Sequence, residues 1–431
     1  MKRELIIAAM LAAPLCTAMS TARAESSQTD MLRDLQQKLE QSLKMTEVLA
    51  KRVEQLEAAQ RGAPKADVAT ASQDAKIAEI KEQVVQIASG LGKRGGSEGL
   101  PLHGFFDVGA ATSNRDYPKG FKIGGLSIYM TPQFTDRIKG LAELNFEVGR
   151  DGAIGTDLER LQLGYGFNDQ LTAWLGRFHT PYGYWNTAFH HGAQIQTSIT
   201  RPTFLDFEDA GGILPAHTVG AWLTGAVKSG DGKWSYDAYA GNSPRISLGE
   251  AATGSLNPNL ASSTNKKYMV GANLGYGFGG ALEGLKLGLH TFAGDVSDDA
   301  AISKTSATRM FGGYAVYLHN DWEILSEYYR FRNRNVNAAN DTHTSWAAYA
   351  QIGKSFDLWT LYGRLEQTRL DQADLYFAKQ DSGQSYRKSV IGVRYDLDPK
   401  SALKLEFDRT SLTDRIEDRS NELWLQYAVR F

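Results

Sequence analysis

The sequence closes with "NELWLQYAVRF", residues 421–431, in which every second residue is apolar. The apolar set is Leu423, Leu425, Tyr427, Val429 and Phe431. Side chains alternate between the two faces of a β-strand, so a period of two places all five on one face. The stretch therefore predicts a strand with one continuous apolar face.

The same period of two recurs through residues 101–431. "LAELNFEV" (residues 141–148) and "ALKLEFDR" (residues 402–409) both alternate apolar with polar side chains. Strands of about ten residues with this alternation are typical of a membrane β-barrel, in which every backbone hydrogen bond must close within the sheet. The alternative is a soluble β-sandwich, which would bury its apolar faces and show no belt of aromatic rings.

Turn signals divide residues 101–431 into sixteen such segments. Their predicted starts lie near residues 102, 120, 139, 157, 171, 216, 234, 267, 285, 307, 322, 345, 358, 385, 402 and 421. Short connections such as "NDQ" alternate with long ones such as "RLDQADLYFAKQDSGQ", as expected of periplasmic turns and outer loops. Trp174, Trp234, Trp322 and Trp359 follow short turns and predict an aromatic belt at the headgroup boundary.

The first 24 residues predict a secretory signal peptide. Lys2 and Arg3 precede the apolar run "LIIAAMLAAPL", and "ARA" (residues 22–24) has the pattern of a cleavage site. Cys16 is the only cysteine and would leave with the peptide. We therefore expect an exported chain without disulfides, thiol catalysis or cysteine metal ligands.

Residues 25–88 predict a periplasmic α-helical coiled coil. Apolar residues recur at alternating three- and four-residue steps from Leu32 to Leu56 and, in a shifted frame, from Ile77 to Ile87. This narrow seam favours a coiled coil, and Ile at the seam favours three chains; a lone helix or flexible spacer is the alternative. The Gly-rich residues 89–100 predict a linker. The predicted fold class is thus an all-β transmembrane barrel of 16 antiparallel strands, preceded by an N-terminal α-helical coiled coil.

The final strand resembles the C-terminal sorting signal of bacterial outer-membrane proteins, in which an alternating apolar strand ends on an aromatic residue. In that family the barrel assembly machinery reads the last strand. The resemblance implies that Leu425, Tyr427, Val429 and Phe431 form an assembly signal. It also implies an integral protein of the bacterial outer membrane, surrounded by lipid and lipopolysaccharide.

The longest connection, about residues 181–215, joins the fifth and sixth predicted strands. In sixteen-stranded porins the loop at this position folds into the lumen and narrows it, so this one resembles a porin constriction loop. Two stretches resemble motifs of the phosphate-selective porin O and P family: "GRFHTPYG" (residues 176–183) and "WEILSEYYRFRN" (residues 322–333). The porin resemblance implies a homotrimer around a water-filled lumen.

Charged residues of this loop and arginines within strands are the candidate constriction residues. The loop supplies His190, His191, Arg201, Asp206, Glu208 and Asp209. The strands supply Arg160, Arg177, Arg364 and Arg394, which would be costly at mid-depth on the lipid face. A common porin arrangement sets loop acids against wall arginines across the aperture. The alternatives are a solvated outer loop for the acids and structural ion pairs for the arginines.

Charge argues against phosphate selectivity, which would need a basic path through the lumen. The formal net charge is −2, and the loop holds acids in excess of its one arginine. The charges favour a weakly selective or cation-tolerant pore, with an anion- or phosphate-selective channel as the alternative. Without a basic excess, no nucleic-acid partner is expected.

Enzymatic motifs are missing from suitable contexts. Adjacent His190 and His191 are typical of a surface pair rather than a metal site, and no cofactor is expected. We therefore predict a non-enzymatic, trimeric outer-membrane porin for passive diffusion of small hydrophilic solutes or ions. A structural alternative has the coiled coil touching peptidoglycan, with the barrel as its anchor.

Overall fold

The computed structural model describes residues 102–431 except 115–118, 149–151, 153, 190–191, 209, 248–253, 258–266, 299–304, 337–340 and 414–418. The predicted signal peptide (1–24), coiled coil (25–88) and linker (89–100) lie outside the described residues. They stay predictions.

The described residues form eighteen strands, of which sixteen build a barrel. The barrel strands are β1 (Leu102–Ser113), β2 (Gly120–Met130), β3 (Ile138–Val148), β4 (Ile154–Asn168), β5 (Leu171–His179), β6 (His217–Ser229), β7 (Gly232–Asn242), β10 (Tyr268–Gly277), β11 (Leu285–Asp298), β12 (Ser306–His319), β13 (Trp322–Asn335), β14 (Thr342–Phe356), β15 (Trp359–Arg369), β16 (Tyr386–Asp398), β17 (Ser401–Leu412) and β18 (Arg419–Arg430). The other two, β8 (Arg245–Ile246) and β9 (Leu256–Asn257), pair with each other between β7 and β10.

Neighbouring barrel strands pair antiparallel in chain order, and β7 pairs directly with β10. The sheet closes because β1 pairs with β18 as well as with β2, with Phe105 opposite Arg430. Next to that pair, the Phe431 N–H donates to the Gly104 carbonyl at 3.0 Å, and the Gly104 N–H donates back at 3.2 Å. The predicted 16-stranded antiparallel barrel is confirmed. The β8–β9 hairpin was not predicted, because two-residue strands are too short to show alternation.

The barrel wall is apolar outside and polar inside. On β17, Leu403, Leu405 and Phe407 are 38%, 43% and 42% exposed. The residues between them, including Lys404 and Glu406, are at most 1% exposed. A soluble protein has the opposite distribution, with apolar side chains inside and polar side chains outside. The observed distribution is the one expected of a wall with lipid on its outer face and a polar interior.

The hairpin turns and the aromatic belt lie at one end of the strands. Asn320 and Asp321 connect β12 to β13 with φ of 51° and 61°, the geometry of a two-residue type I′ turn. Trp234, Trp322 and Trp359 near such turns are 41%, 40% and 51% exposed, as expected of a belt.

The expectation that Trp174 belongs to this belt was wrong. Its ring stacks on Trp222 with centroids 6.2 Å apart, and the Trp222 indole N–H donates to Asp237 at 3.0 Å. Asp237 occupies an inward position of β7, because it alternates with the outward residues of that strand. Trp222, which donates to Asp237, and Trp174, which stacks on Trp222, therefore both lie on the inner face. An aromatic residue near a turn can occupy either face, and only its parity in the strand decides which.

Where the long connections are described, they contain two short helices: α1 (Trp185–Ala188) between β5 and β6, and α2 (Leu375–Ala378) between β15 and β16. In the described part of the chain, no helix has the length and apolar character needed to cross a membrane.

Candidate functional site

Residues 180–216, here called the β5–β6 segment, contain α1 and a 3-10 turn at Thr203–Leu205. The segment turns at Gly183, which has a φ of 61°. A Cβ atom there would lie 2.0 Å from a carboxylate oxygen of Glu327 on β13. Only glycine fits this close approach with a positive φ.

Three buried carboxylates on the inner wall accept hydrogen bonds from the backbone of the β5–β6 segment. They are Glu327 on β13, Glu366 on β15 and Glu406 on β17. Glu327 accepts from the N–H groups of Tyr184 (2.9 Å) and Trp185 (2.8 Å). Glu366 accepts from the N–H group of Thr203 at 2.8 Å. Glu406 accepts from the N–H groups of Ile199 (2.7 Å) and Thr200 (2.9 Å). Since β13–β17 do not adjoin β5 or β6, these bonds join the segment to a distant part of the wall.

Three cations of the same wall donate to carbonyl groups of the segment. Arg364 on β15 donates to the carbonyls of Thr200 (2.9 Å) and Arg201 (3.0 Å). The other contacts come from Arg394 to Gln194 (2.6 Å) and Gln196 (3.0 Å), and from Lys404 to Gln196 (2.8 Å) and Ser198 (3.1 Å). Hydrogen bonds from charged donors are stronger than neutral ones, so the segment is held along much of its length.

An aromatic core packs the segment against β13 and β14. Trp185 is fully buried, with its ring 5.6 Å from Tyr349, and Phe204 lies 5.4 Å from Tyr329. The α2 connection adds Tyr376, whose hydroxyl donates to the Ile213 carbonyl at 2.7 Å. This contribution of the α2 connection was not predicted, although "LYF" (residues 375–377) is an apolar run within a loop.

The remaining interior contains a cavity of about 410 Å³. It lies between the segment and the inner faces of β1, β2, β3 and β18. Its charged lining comprises the acids Asp107, Glu147, Asp206 and Glu422, and the cations Lys122, Arg201 and Lys388. The Lys122 ammonium lies 4.6 Å from the Trp424 ring centre, and Lys388 pairs with Asp408 at 2.8 Å. The lining is therefore polar and mixed in charge.

The end of the segment is held by a buried histidine between two carboxylates. Imidazole nitrogens of His217, the first residue of β6, lie 3.0 Å from Glu208 and 2.6 Å from Glu159 on β4. Burial of Glu208 opposes its ionisation, but the charge and hydrogen bonds of His217 outweigh burial and hold the pKa of Glu208 below its usual range. Glu208 is therefore an anchoring group in this structure.

Arg201 and Asp206 are the two predicted residues that line the cavity. The Arg201 guanidinium lies 3.7 Å from Asp206 and 4.2 Å from the Phe207 ring centre. Burial lowers the pKa of Arg201, although the nearby Asp206 and Glu208 act to raise it. A loop cation and a loop acid thus meet at the cavity edge.

The predicted wall arginines lie elsewhere. Arg160 pairs with Glu143 at 2.5 Å, and Arg177 lies 3.7 Å from Glu159. Arg364 and Arg394 donate from the barrel wall to carbonyl groups of the β5–β6 segment and do not line the cavity. His190, His191 and Asp209 fall outside the described residues.

Most of the residues that hold the segment were not predicted from the sequence. They are Glu327, Glu366, Lys388, Lys404, Glu406 and Asp408. A usable signal was present, since charged residues alternate with the apolar side chains of "ALKLEFDR" (residues 402–409) and so must face inward. Their contacts with the segment could not be read from spacing. Within the described ranges, no cluster of three or more His, Cys, Asp or Glu side chains could hold a metal ion.

No protein-family model matches this sequence, and no curated protein matches it. Among solved structures, the chain is similar to an anion-selective porin from Comamonas acidovorans, with a TM-score of 0.52, 12% identity and coverage of 77% of this chain and 99% of that one. It is also similar to OmpT, an outer membrane protein of Vibrio cholerae, in its trimer form (TM-score 0.50, 11% identity, 77% and 99% covered). The outer membrane channel DcaP of Acinetobacter baumannii matches with a TM-score of 0.49 and 12% identity, over 77% of this chain and 97% of that one. At these identities the likeness concerns the fold, and the described part of this chain shares its 16-stranded barrel fold with outer-membrane porins.

Proposed function

We propose that this chain is an outer-membrane porin through which small hydrophilic solutes and ions diffuse passively. The solutes pass through a water-filled barrel that the β5–β6 segment narrows. A barrel of sixteen strands is wide enough to leave an aqueous channel unless it is filled.

The cavity of about 410 Å³ is the observation that carries this proposal. It lies inside a wall whose outer face is apolar, and its own lining carries charges of both signs. Charged and polar walls replace part of the hydration of a passing ion, which is what an aqueous pore requires. The segment fills the opposite part of the interior, so the cavity supports an off-centre path.

The charges of the lining support a weakly selective or cation-tolerant pore. Asp107, Glu147, Asp206 and Glu422 outnumber the cations, and Lys388 is already paired with Asp408. An anion- or phosphate-selective channel is the alternative, and it would need the cations to dominate the path.

Planar-bilayer recording of the purified full chain tests the proposal. We expect the conductance to increase in steps. In a KCl gradient we expect a small reversal potential, with the sign that indicates preferential permeation of cations. A reversal potential of the opposite sign, or a block by millimolar phosphate, would favour the anion-selective alternative. Complete lack of channels from folded protein would refute the porin proposal.

We further propose a homotrimer in lipid and lipopolysaccharide, inserted by the barrel assembly machinery. Contact with peptidoglycan through residues 25–88 is the alternative structural role. Deleting residues 25–99 separates the two roles, because conductance should persist while any co-sedimentation with peptidoglycan should be lost. Chemical cross-linking in outer-membrane vesicles measures the trimer directly.

A further inference from the structure

Arginines project outward from the outer ends of six of the seven consecutive strands β12 to β18, with none on β14. They are Arg309, Arg330, Arg332, Arg334, Arg369, Arg387, Arg409 and Arg419, here called the arginine belt, and all are exposed. An arginine on the lipid face of a barrel is costly at mid-depth and is tolerated only near the interface. The belt therefore needs a partner or a polar environment.

The orientation of the belt follows from alternation along β13. Arg330, Arg332 and Arg334 are exposed, whereas Phe331 and Asn333 between them are fully buried. Buried and exposed side chains alternate in the same way on β15, β16 and β17. The guanidinium groups consequently lie outside the barrel and do not line the channel.

The height of the belt follows from the strand register. Arg330 is opposite Trp346 on β14 and Phe311 on β12, at the level of an outward aromatic pair formed by Trp346 and Tyr328. Apolar residues follow toward the short turns, with Leu365 at 66% exposure. From Arg330 to Arg334 the strand rises about 14 Å. The belt therefore begins at the edge of the apolar band and extends through the thickness of a headgroup layer.

The charge of the belt is uncompensated within the described residues. None of the eight guanidinium groups forms an ion pair with a carboxylate of the described residues. The outward residues near the long-loop ends of β2, β3 and β7 carry no charge, as shown by Phe121, Val148 and Ala240. One outward acid, Asp295 on β11, lies opposite Ala307 at the edge of the belt and forms no ion pair with a belt arginine. The positive charge is thus confined to one sector of the wall.

We propose that the arginine belt binds the phosphate groups of phosphorylated lipids in the outer leaflet. This inference rests on the proposed membrane location and deepens it by naming the lipid-binding sector. A guanidinium matches phosphate with two parallel N–H donors, and each basic residue near an anionic headgroup surface adds to binding. The belt lies at the edge of the apolar band, faces lipid and forms no ion pair with a carboxylate among the described residues, so charge complementarity selects a phosphorylated headgroup.

The test measures binding of lipopolysaccharide to the full chain in a neutral detergent. Its variant combines Arg330→Gln, Arg332→Gln and Arg334→Gln. A matched control combines Lys228→Gln and Lys233→Gln, two exposed cations at the short-turn end of β6 and β7. We expect about a hundredfold weaker binding for the arginine variant and parental binding for the control, since three contacts are lost.

Dephosphorylated lipopolysaccharide is the second probe, and it should bind the parent chain as weakly as the arginine variant binds the intact lipid. Parental affinity in the arginine variant, or equal binding of both lipids, would overturn the proposal. A second variant, with Arg369→Gln, Arg387→Gln and Arg409→Gln, serves if the first does not fold. Conductance of each variant in phosphatidylcholine bilayers separates a failure of lipid binding from a failure of the porin proposal.

Discussion

Arg364 lies wholly buried between the wall and the β5–β6 segment. Its guanidinium is 2.9 Å from Glu366, and it also donates to the Ser198 hydroxyl at 2.9 Å. It therefore compensates a buried carboxylate and binds the segment at the same time. Removing one partner of a buried ion pair costs about 3–5 kcal/mol, because the other charge stays behind.

We predict that Arg364→Met loosens the β5–β6 segment. Single-channel recording should show larger and noisier conductance, because water and ions enter where the segment no longer contacts β15. Arg364→Lys should be intermediate, since it keeps the charge and loses the forked donors. Arg387→Gln, on the outer face of the next strand, is the control and should conduct like the parent. Parental noise in Arg364→Met would contradict this role.

Glu208 gives a pH prediction. A carboxyl whose pKa is depressed in the folded state stabilises that state above its unfolded pKa, and this contribution is lost as pH falls through the folded value. Burial disfavours the charged form of Glu208, but the charge and hydrogen bonds of His217 outweigh the effect of burial. The pKa of Glu208 is therefore lowered. We therefore expect current noise to rise only on acidification below the usual range of a glutamate.

The Glu208→Gln variant is the control for that pH effect. The current through this variant should be noisy already at neutral pH. The noise should not rise further in acid, because residue 208 then has no carboxyl group to protonate. Noise spectra recorded over a pH series measure both. Identical pH profiles for parent and variant would assign the effect to another group.

At the scale of elements, β18 closes the barrel. The seam with β1 runs from Phe105 opposite Arg430 to Ser113 opposite Glu422. An open edge would leave unpaired backbone groups in the hydrocarbon, each costing several kcal/mol. The end of this strand is thus structural as well as a predicted assembly signal.

We predict that deleting residues 426–431 prevents a closed barrel both in cells and after refolding in detergent. Phe431→Ala should behave differently, because it keeps the backbone bonds to Gly104 and removes only the aromatic ring. It should refold in vitro like the parent but accumulate poorly in the outer membrane if the assembly machinery reads that ring. Heat-modifiable mobility on gels and membrane fractionation measure the two outcomes. Normal membrane levels of Phe431→Ala would contradict the assembly-signal hypothesis.

At the scale of the whole barrel, the β5–β6 segment packs against β13–β17, and the cavity lies on the side of β1, β2, β3 and β18. Glu422 on β18 and Lys122 on β2 both line the cavity. One charge acts on an ion about 4 Å away with about 1 kcal/mol in water, so single charges there can tune selectivity.

We predict that Glu422→Lys shifts the permeability ratio toward anions by at least about fivefold, because about 1 kcal/mol per charge corresponds to that factor and the substitution changes two charges. Lys122→Glu should shift it toward cations. Reversal potentials in a salt gradient measure both, and Lys228→Gln at the short-turn end is the control. Unchanged ratios in both variants would place the ion path outside this cavity.

The sequence by itself determined the barrel. A period of two, repeated in sixteen segments, predicted strand starts that lie within three residues of those observed. The two largest differences, at β4 and β14, arise because these strands begin three residues before the predicted start, with "IGT" and "THT". Alternation is a local property dictated by lipid on one side and water on the other, so spacing alone reveals it.

Only the tertiary structure decided what each inward charge does. Arg364 and Arg394 had been predicted to face the aperture, yet they bind the β5–β6 segment, while Lys122 and Glu422 line the cavity. These contacts join residues far apart in the chain. Their partners depend on the path of the β5–β6 segment, which shows no regular alternation. Odd or even position along a strand tells which face a side chain occupies, but it does not tell which residues that side chain contacts.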